Sequence, residues 1–301
     1  MDPRPAVIPL NFFAMRGGPS IPEQAVTLVS NPTSDPADYD TPAARPRTQW
    51  TTFITIGVIG GVLSGLFAIG GGILMVPLLV SRARMDQRRA TATSLVAIIP
   101  PAIASSVTYL AHDDVDLAAG GLVALGAIFG ALLGSRLLRR LPLTTLRWAF
   151  IVFIVAVAAR LLFITPARGQ TVDLSANVML GYIGLGLLMG IASGLFGIGG
   201  GIVAVPLLVS LFAVSDLVAK GTSLLVSIPT SIVGTLGNRR NRLVDVRAGL
   251  IVGAAAAAAS VPAVYIAVAI PPRVSAILFA ALLLAVAAQL TTKALHRERK
   301  A

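Results

Sequence analysis

The chain has 301 residues, of which 55% are hydrophobic and 12% charged, with a formal net charge of +11 and no cysteine. Because an average soluble domain carries about 25% charged residues, this composition excludes a soluble globular protein. Without cysteine, disulfides and thiolate metal sites are excluded, and two histidines are too few for a histidine metal centre, so no metal and no cofactor is indicated.

Residues 1–50 differ from the rest of the chain. They combine nine prolines with Ser, Thr and Asp, a composition that predicts a largely disordered N-terminal extension. A signal peptide is the alternative interpretation. Its apolar core would be AVIPLNFFAM, which is short and interrupted by Pro9, so the extension is favoured.

Eight hydrophobic segments of at least 18 residues follow, the length typical of membrane-spanning helices. They cover residues 51–69, 91–111, 117–135, 148–165, 178–198, 219–238, 248–269 and 274–292. The basic residues form short clusters between these segments, which is typical of topology signals and speaks against a nucleic-acid partner. The chain is therefore predicted to be an all-α integral membrane protein whose partner is the lipid bilayer.

The chain contains a near copy of itself. SGLFAIGGGILMVPLLV (64–80) recurs as SGLFGIGGGIVAVPLLV (193–209), and fifteen of the eighteen positions from 64 to 81 match at an offset of 129. Further pairs match at the same offset, namely ATATSL (90–95) with AKGTSL (219–224) and Val115-Asp116 with Val244-Asp245. This predicts two tandem transmembrane repeats, residues 51–165 and 178–293, followed by a basic tail, residues 294–301.

Equivalent loops of the two repeats differ in charge. Residues 81–89 carry a net +3, whereas residues 210–218 hold only Asp216; residues 110–118 carry −3, whereas residues 239–247 carry +3. Since Lys and Arg in short loops stay on the cytoplasmic side, equivalent loops are expected on opposite sides of the membrane. This pattern predicts inverted-topology repeats, with both chain termini cytoplasmic.

Inversion requires an odd number of membrane crossings per repeat, but each repeat shows four hydrophobic segments. The first segment of each repeat is the predicted exception, because it is broken at a GGG sequence and continues as a half-helix over 72–80. Such a half-helix is about 13 Å long, less than half of the roughly 30 Å hydrocarbon core, so it is expected to be re-entrant. Pro77 and Pro206 are expected near the start of these short helices.

The broken helices predict an anion site. Unwound backbone at membrane depth is tolerated only beside protein or a water-filled cavity, and a helix N-terminus attracts negative charge. The glycines predicted to bind substrate are Gly70, Gly71, Gly72, Gly199, Gly200 and Gly201. Glycines spaced by four residues are instead expected to serve close helix packing: Gly57, Gly61 and Gly65, their copies Gly186, Gly190 and Gly194, and Gly126, Gly130 and Gly134.

Polar side chains follow in the next segment of each repeat. The predicted substrate-binding set includes Thr93, Ser94, Lys220, Thr222 and Ser223. Each hydroxyl could instead bond to its own helix, and the lysine could reach the membrane surface. No acidic residue lies within a hydrophobic segment, and Asp116 and Asp245 are expected to cap helices.

These repeated motifs, together with GALLGSRLLRRLP (130–142), resemble the TauE/SafE family of sulfite exporters, also called the toluene sulfonate uptake permease group. The resemblance covers roughly residues 52–292, and the chain differs from the family pattern at Thr91-Ala92 and Lys220. It implies a bacterial plasma-membrane transporter that exports sulfite, organosulfonates or related small sulfur-containing anions.

Other functions compete with this one. An intramembrane hydrolase is not favoured, because neither GxSxG nor HExxH occurs and Ser64 and Ser193 lack a histidine partner in sequence context. A passive anion channel, or an uptake permease for another small carboxylate or sulfonate, fits the helix termini equally well. Those alternatives stay open, as do the anion, the direction of transport and a homodimeric assembly.

Overall fold

The computed structural model describes residues 47–163, 176–239 and 243–298, and it folds them into ten α-helices. The helices are α1 Arg47–Phe67, α2 Gly72–Ser81, α3 Gln87–Leu110, α4 Leu117–Arg140, α5 Leu143–Phe163, α6 Ala176–Phe196, α7 Gly201–Leu211, α8 Asp216–Arg239, α9 Val246–Ala269 and α10 Pro272–Glu298. Residues 1–46 of the predicted N-terminal extension lie outside the described residues, and its last four residues, 47–50, belong to α1.

Seven of these helices, among the residues described, are long and apolar enough to cross a bilayer: α1, α3, α4, α6, α8, α9 and α10. Helices α2 and α7 are apolar but have only 10 and 11 residues, so each is about 15 Å long and too short to cross. The predicted all-α integral membrane fold is confirmed.

The main helix contacts join the first half of the chain to the second. Helix α1 packs against α9, and its counterpart α6 packs against α4. In the same way α3 packs against α9, α8 against α4, α3 against α8, and α5 against α10. Because these interfaces cross between halves, the residues that each half buries are covered largely by the other half.

Glycines allow close backbone contact at two of these interfaces, between α1 and α9 and between α4 and α6. A Cβ placed on Gly61 of α1 would overlap the backbone of Ala256 on α9, and a Cβ on Gly190 of α6 would overlap that of Ala127 on α4. The other glycines of both stripes make equivalent backbone contacts, and Gly126, Gly130 and Gly134 of α4 meet the backbone of α6. The predicted packing role of these glycines is confirmed.

Aspartates begin three of the long helices. The carboxylate of Asp116 accepts a hydrogen bond from the Ala119 N–H (2.8 Å) at the start of α4, and that of Asp245 accepts one from Ala248 (3.0 Å) at the start of α9. Both predicted caps are confirmed. Asp86 caps α3 in the same way, so this helix begins four residues before the hydrophobic segment over 91–111.

The two repeated prolines lie deeper in the short helices than predicted. Pro77 is the sixth residue of α2 and Pro206 the sixth of α7, so neither occupies the first turn. A proline at this position lacks the N–H that would bond four residues back, which leaves the carbonyls of Ile73 and Ile202 without that intrahelical hydrogen bond.

Loop contacts show which helix ends lie together. Arg89 at the start of α3 lies 3.7 Å from the Asp245 carboxylate at the start of α9, and Arg139 at the end of α4 donates to the Gly237 carbonyl oxygen near the end of α8 (2.9 Å). The loop 82–86 before α3 and residues 243–245 before α9 therefore share one end of the helix bundle. Which side of a membrane this end faces stays a prediction.

Candidate functional site

Two short unwound segments interrupt the helical hairpins. Residues 68–71, here called break 1, separate α1 from α2, and residues 197–200, break 2, separate α6 from α7. Gly71 and Gly200 have φ angles of 75° and 85°, in the left-handed region. L-residues with a side chain rarely adopt this conformation, so the turn explains why glycine occupies these positions.

The two breaks pack directly against each other. A Cβ on Gly72 would overlap the Gly197 carbonyl and the Ile198 backbone, and a Cβ on Gly201 would overlap the Ala68 carbonyl. All residues of both breaks are buried. The structure therefore brings the six predicted glycines of the two halves together at one place.

Each break ends at the N-terminus of a short helix. Gly71 and Gly200 are the N-cap residues of α2 and α7, and glycine has no side chain that could accept hydrogen bonds from the first N–H groups of these helices. The first N–H groups of a helix have no acceptor within the helix, and the helix dipole adds positive potential there. Two such ends lie next to each other, which is an arrangement suited to a small anion.

One serine from each half contacts the opposite break. The Ser94 hydroxyl lies 2.8 Å from the Gly197 carbonyl oxygen of break 2 and 2.8 Å from the Thr91 carbonyl oxygen of its own helix. The Ser223 hydroxyl lies 3.5 Å from the Ala68 carbonyl oxygen of break 1. These two predicted residues are thus placed at the breaks.

A third serine at the breaks was missed by sequence analysis. The Ser227 hydroxyl donates to the Gly199 carbonyl oxygen over 2.6 Å. Ser227 follows Ser223 by four residues on α8, so both share a helix face, and this spacing is the signal that could have identified it.

The two predicted threonines lie elsewhere. The Thr222 hydroxyl oxygen accepts a hydrogen bond from the Asp116 N–H (2.9 Å), and that of Thr93 accepts one from the Asp245 N–H (3.1 Å). Thr222 therefore joins α8 to the loop before α4, and Thr93 joins α3 to the loop before α9. The structure brings neither hydroxyl to a break.

Lys220 is buried and paired. Its side chain is 3% exposed, and its Nζ lies 2.6 Å from the Asp216 carboxylate and 2.8 Å from the Ser275 hydroxyl. The ammonium group is therefore enclosed by protein, and two of its three donors are already used. Asp216 was not recognised as its partner from the sequence, although acidic and basic residues four positions apart on a helix are a known pairing signal.

More polar groups surround this ion pair. The Tyr109 hydroxyl donates to the Gly65 carbonyl oxygen (2.9 Å) near the end of α1. In the loop after α3, burial raises the pKa of the Asp114 carboxyl above its usual value, and the charges of Asp113 and Asp216 raise it further, while His112 opposes this change. The ion pair therefore lies in a polar cluster at one end of the bundle.

Two buried serines precede the breaks. Ser64 and Ser193 occupy equivalent positions, and their carbonyl oxygens accept hydrogen bonds from Ala68 and Gly197, the first residues of break 1 and break 2. Both hydroxyl groups are fully buried and lack a hydrogen-bond partner among the described residues. Sequence analysis considered these serines only as nucleophiles, so it missed them as polar groups beside the breaks.

Comparison with known proteins identifies relatives of the chain. YunE of Bacillus subtilis (strain 168), a probable membrane transporter protein, is 26% identical over 214 residues, which cover 63% of this chain and 78% of YunE. A probable membrane transporter protein of Xylella fastidiosa (strain Temecula1 / ATCC 700964) is 33% identical over 106 residues, covering 35% of this chain and 41% of that protein. No solved structure matches the chain.

A third match carries the same description. MamO of Magnetospirillum gryphiswaldense, again a probable membrane transporter protein, is 30% identical over 133 residues, covering 39% of this chain and 21% of MamO. The model of the family described as sulfite exporter TauE/SafE matches residues 12–161 and 182–301. Because this match covers nearly the whole chain, the protein belongs to the sulfite exporter TauE/SafE family and is a multi-pass membrane transporter, not an enzyme.

Proposed function

We propose that the protein exports sulfite, an organosulfonate or a related small sulfur-containing anion across a bacterial plasma membrane. The substrate binds near the membrane midplane, between the two glycine-broken hairpins. Both hairpins are re-entrant in this proposal, the two repeats are inverted, and both termini are cytoplasmic.

The observation that carries the proposal is the apposition of the two uncapped helix N-termini at Gly71 and Gly200. A sulfite or sulfonate group has three oxygens and negative charge, which backbone N–H groups at helix ends bind well. Pairs of discontinuous helices facing one central site occur in transporters with inverted repeats.

Hydroxyl groups support the same position for the substrate. Ser94 and Ser223 contact the breaks, and the buried hydroxyls of Ser64 and Ser193 have unused donors beside them. Such donors complement an oxyanion, because hydrogen bonds to charged acceptors are stronger than those to neutral ones.

Burial of the breaks favours a carrier over an open channel. Every residue of break 1 and break 2 is buried, so a substrate reaches them only after the surrounding helices move. A carrier that alternates between two accessible states requires such a movement, whereas an open pore does not.

Flux measurements in proteoliposomes test this function. The purified protein is reconstituted, and uptake of labelled sulfite, sulfate, thiosulfate, taurine and sulfoacetate is measured in separate assays. We expect saturable transport and counterflow with at least one sulfite- or sulfonate-containing anion. Unit conductance steps in planar bilayers, or no transport of any of these anions, would contradict the proposal.

A pair of serine variants tests the position of the substrate. Each of Ser94→Ala and Ser223→Ala removes a hydroxyl at a break and should weaken apparent substrate affinity about tenfold, the effect of losing one hydrogen bond to a charged group. Thr108→Ala is the matched control, since its hydroxyl on α3 bonds only to the Ala104 carbonyl. Equal affinities in all three variants would remove the serines from the site.

A further inference from the structure

A cavity lies away from the breaks, at one end of the helix bundle. It has a volume of about 830 Å³ and opens between the C-terminal ends of α4 and α8. Three of its lining residues are arginines, Arg136, Arg139 and Arg239, and leucines line the remainder together with Ser135 and Gly237.

The charge of this cavity is not neutralised by its own walls. No carboxylate is found among the described residues that line it. Arg136 and Arg239 are exposed, and Arg139 uses one donor on the Gly237 carbonyl oxygen (2.9 Å), which leaves its other N–H groups available. Three guanidinium groups around one space are suited to a phosphate group, whose oxygens match the arginine donors.

Apolar side chains continue from the arginines along both helices. On α4, Phe129 (65% exposed) and Leu133 (46%) precede Arg136 at helical spacing, and on α8, Ile232 (41%) and Leu236 (56%) precede Arg239. Residues spaced by three, four and seven positions share one helix face. Each face is therefore apolar along its length and cationic at its end, which matches the acyl chains and headgroup of a phospholipid.

The positive charge is not a consequence of the internal repeat. At the offset of 129 residues, the positions equivalent to the three arginines are Tyr265, Val268 and Leu110, none of which is charged. The cavity also lies at the same end of the bundle as Arg89, the end predicted to be cytoplasmic. The surface of the cytoplasmic leaflet is negative because it contains anionic lipids.

We propose that this cavity binds the headgroup phosphate of an anionic phospholipid from the surrounding leaflet, with the acyl chains against the apolar faces of α4 and α8. This binding site is separate from the breaks and does not depend on which substrate the protein transports.

Native mass spectrometry of the detergent-purified full chain tests the proposal. The protein is titrated with phosphatidylglycerol and, separately, with phosphatidylcholine, and inorganic phosphate is added as a competitor. The cavity variant is Arg136→Gln/Arg239→Gln. The control variant, Arg82→Gln/Arg84→Gln, removes the same charge from exposed side chains that do not line the cavity.

We expect the wild-type protein and the control variant to prefer phosphatidylglycerol, and the cavity variant to bind it about thirtyfold more weakly, as loss of two cationic contacts at a membrane surface implies. Both variants change exposed residues, and their thermal unfolding is measured alongside. The absence of a headgroup preference in the wild type overturns the proposal. So does equal weakening in both variants, and displacement of the lipid by millimolar phosphate would identify a free-anion site instead.

Discussion

The repeated Thr-Ser dipeptides at 93–94 and 222–223 supply four hydroxyl groups, and these have two different roles in the structure. Ser94 and Ser223 contact the breaks, whereas Thr93 and Thr222, each next to one of them, hold the loops before α9 and α4. Neighbouring residues on a helix point about 100° apart, so only one of each pair can face a break. The repeat alone identified both pairs but did not distinguish their directions.

Gly71 and Gly200 should tolerate no side chain. Alanine at either position would occupy the left-handed region, at about 1–2 kcal/mol, and at Gly71 its Cβ would meet the Gly60 carbonyl. We expect each variant to lower the apparent Tm in detergent by about 4 °C or more. Gly121→Ala is the control, because a Cβ there has open space. A Tm unchanged from wild type would show that the turn does not require glycine.

The buried ion pair should be sensitive to removal of one partner. Asp216→Asn leaves the Lys220 ammonium buried without a negative counter-charge, so we expect a loss of about 3–5 kcal/mol in stability. The double variant Asp216→Asn/Lys220→Gln removes both charges and should recover part of this loss. Denaturation in detergent of both variants measures the effect, and a double variant less stable than the single one would contradict the pairing.

At the scale of elements, the glycine motif predicted a break at Gly70-Gly71-Gly72, because glycine readily adopts left-handed turns. Helix α1 ends at Phe67, two residues before the predicted limit at residue 69, and α2 begins at Gly72. The prediction that Pro77 lies near the start of α2 was wrong. The helix starts directly after the break, so this proline occupies its sixth position. Helices α3 and α8 begin at Gln87 and Asp216, before the hydropathy limits at residues 91 and 219, because polar groups at Asp86 and Ser215 accept hydrogen bonds from the first turns.

The two glycine interfaces should respond alike to substitution. Gly61→Ala on α1 and Gly190→Ala on α6 each direct a methyl group into the backbone of the facing helix, so we expect each to destabilise the protein by about 1–3 kcal/mol. Gly184→Ala, also on α6, has nothing within 4 Å of its added Cβ and is the control. Thermal unfolding in detergent compares the three variants. If Gly61→Ala or Gly190→Ala unfolds like the control, that interface is looser than described.

At the scale of the whole molecule, each half of the chain packs mainly on the other. Helix α1 and helix α6 each lie against the third long helix of the opposite half, and α3 packs against α8. This exchange places the two breaks, 129 residues apart in sequence, in contact. The substrate site that we propose between the two halves depends on this pairing.

Cysteine labelling tests the inverted arrangement. The chain has no native cysteine, so single variants at exposed positions report their own side of the membrane. We expect Arg84→Cys and Val246→Cys to react from one side, since their loops are joined by the contact between Arg89 and Asp245, and Leu211→Cys to react from the other. Labelling of Arg84→Cys and Leu211→Cys from the same side would exclude inverted repeats.

The sequence by itself determined the membrane class and the helix-packing glycines, and it predicted the repeat and the glycine breaks, because hydropathy, glycine conformation and residue size act locally. Only the tertiary structure decided that Ser94 and Ser223 contact the opposite breaks, that Lys220 contacts Ser275 of α10, and that three arginines surround one cavity. Such contacts depend on the rotation and crossing of helices distant in sequence. Periodicity within one helix does not specify which face of another helix it meets.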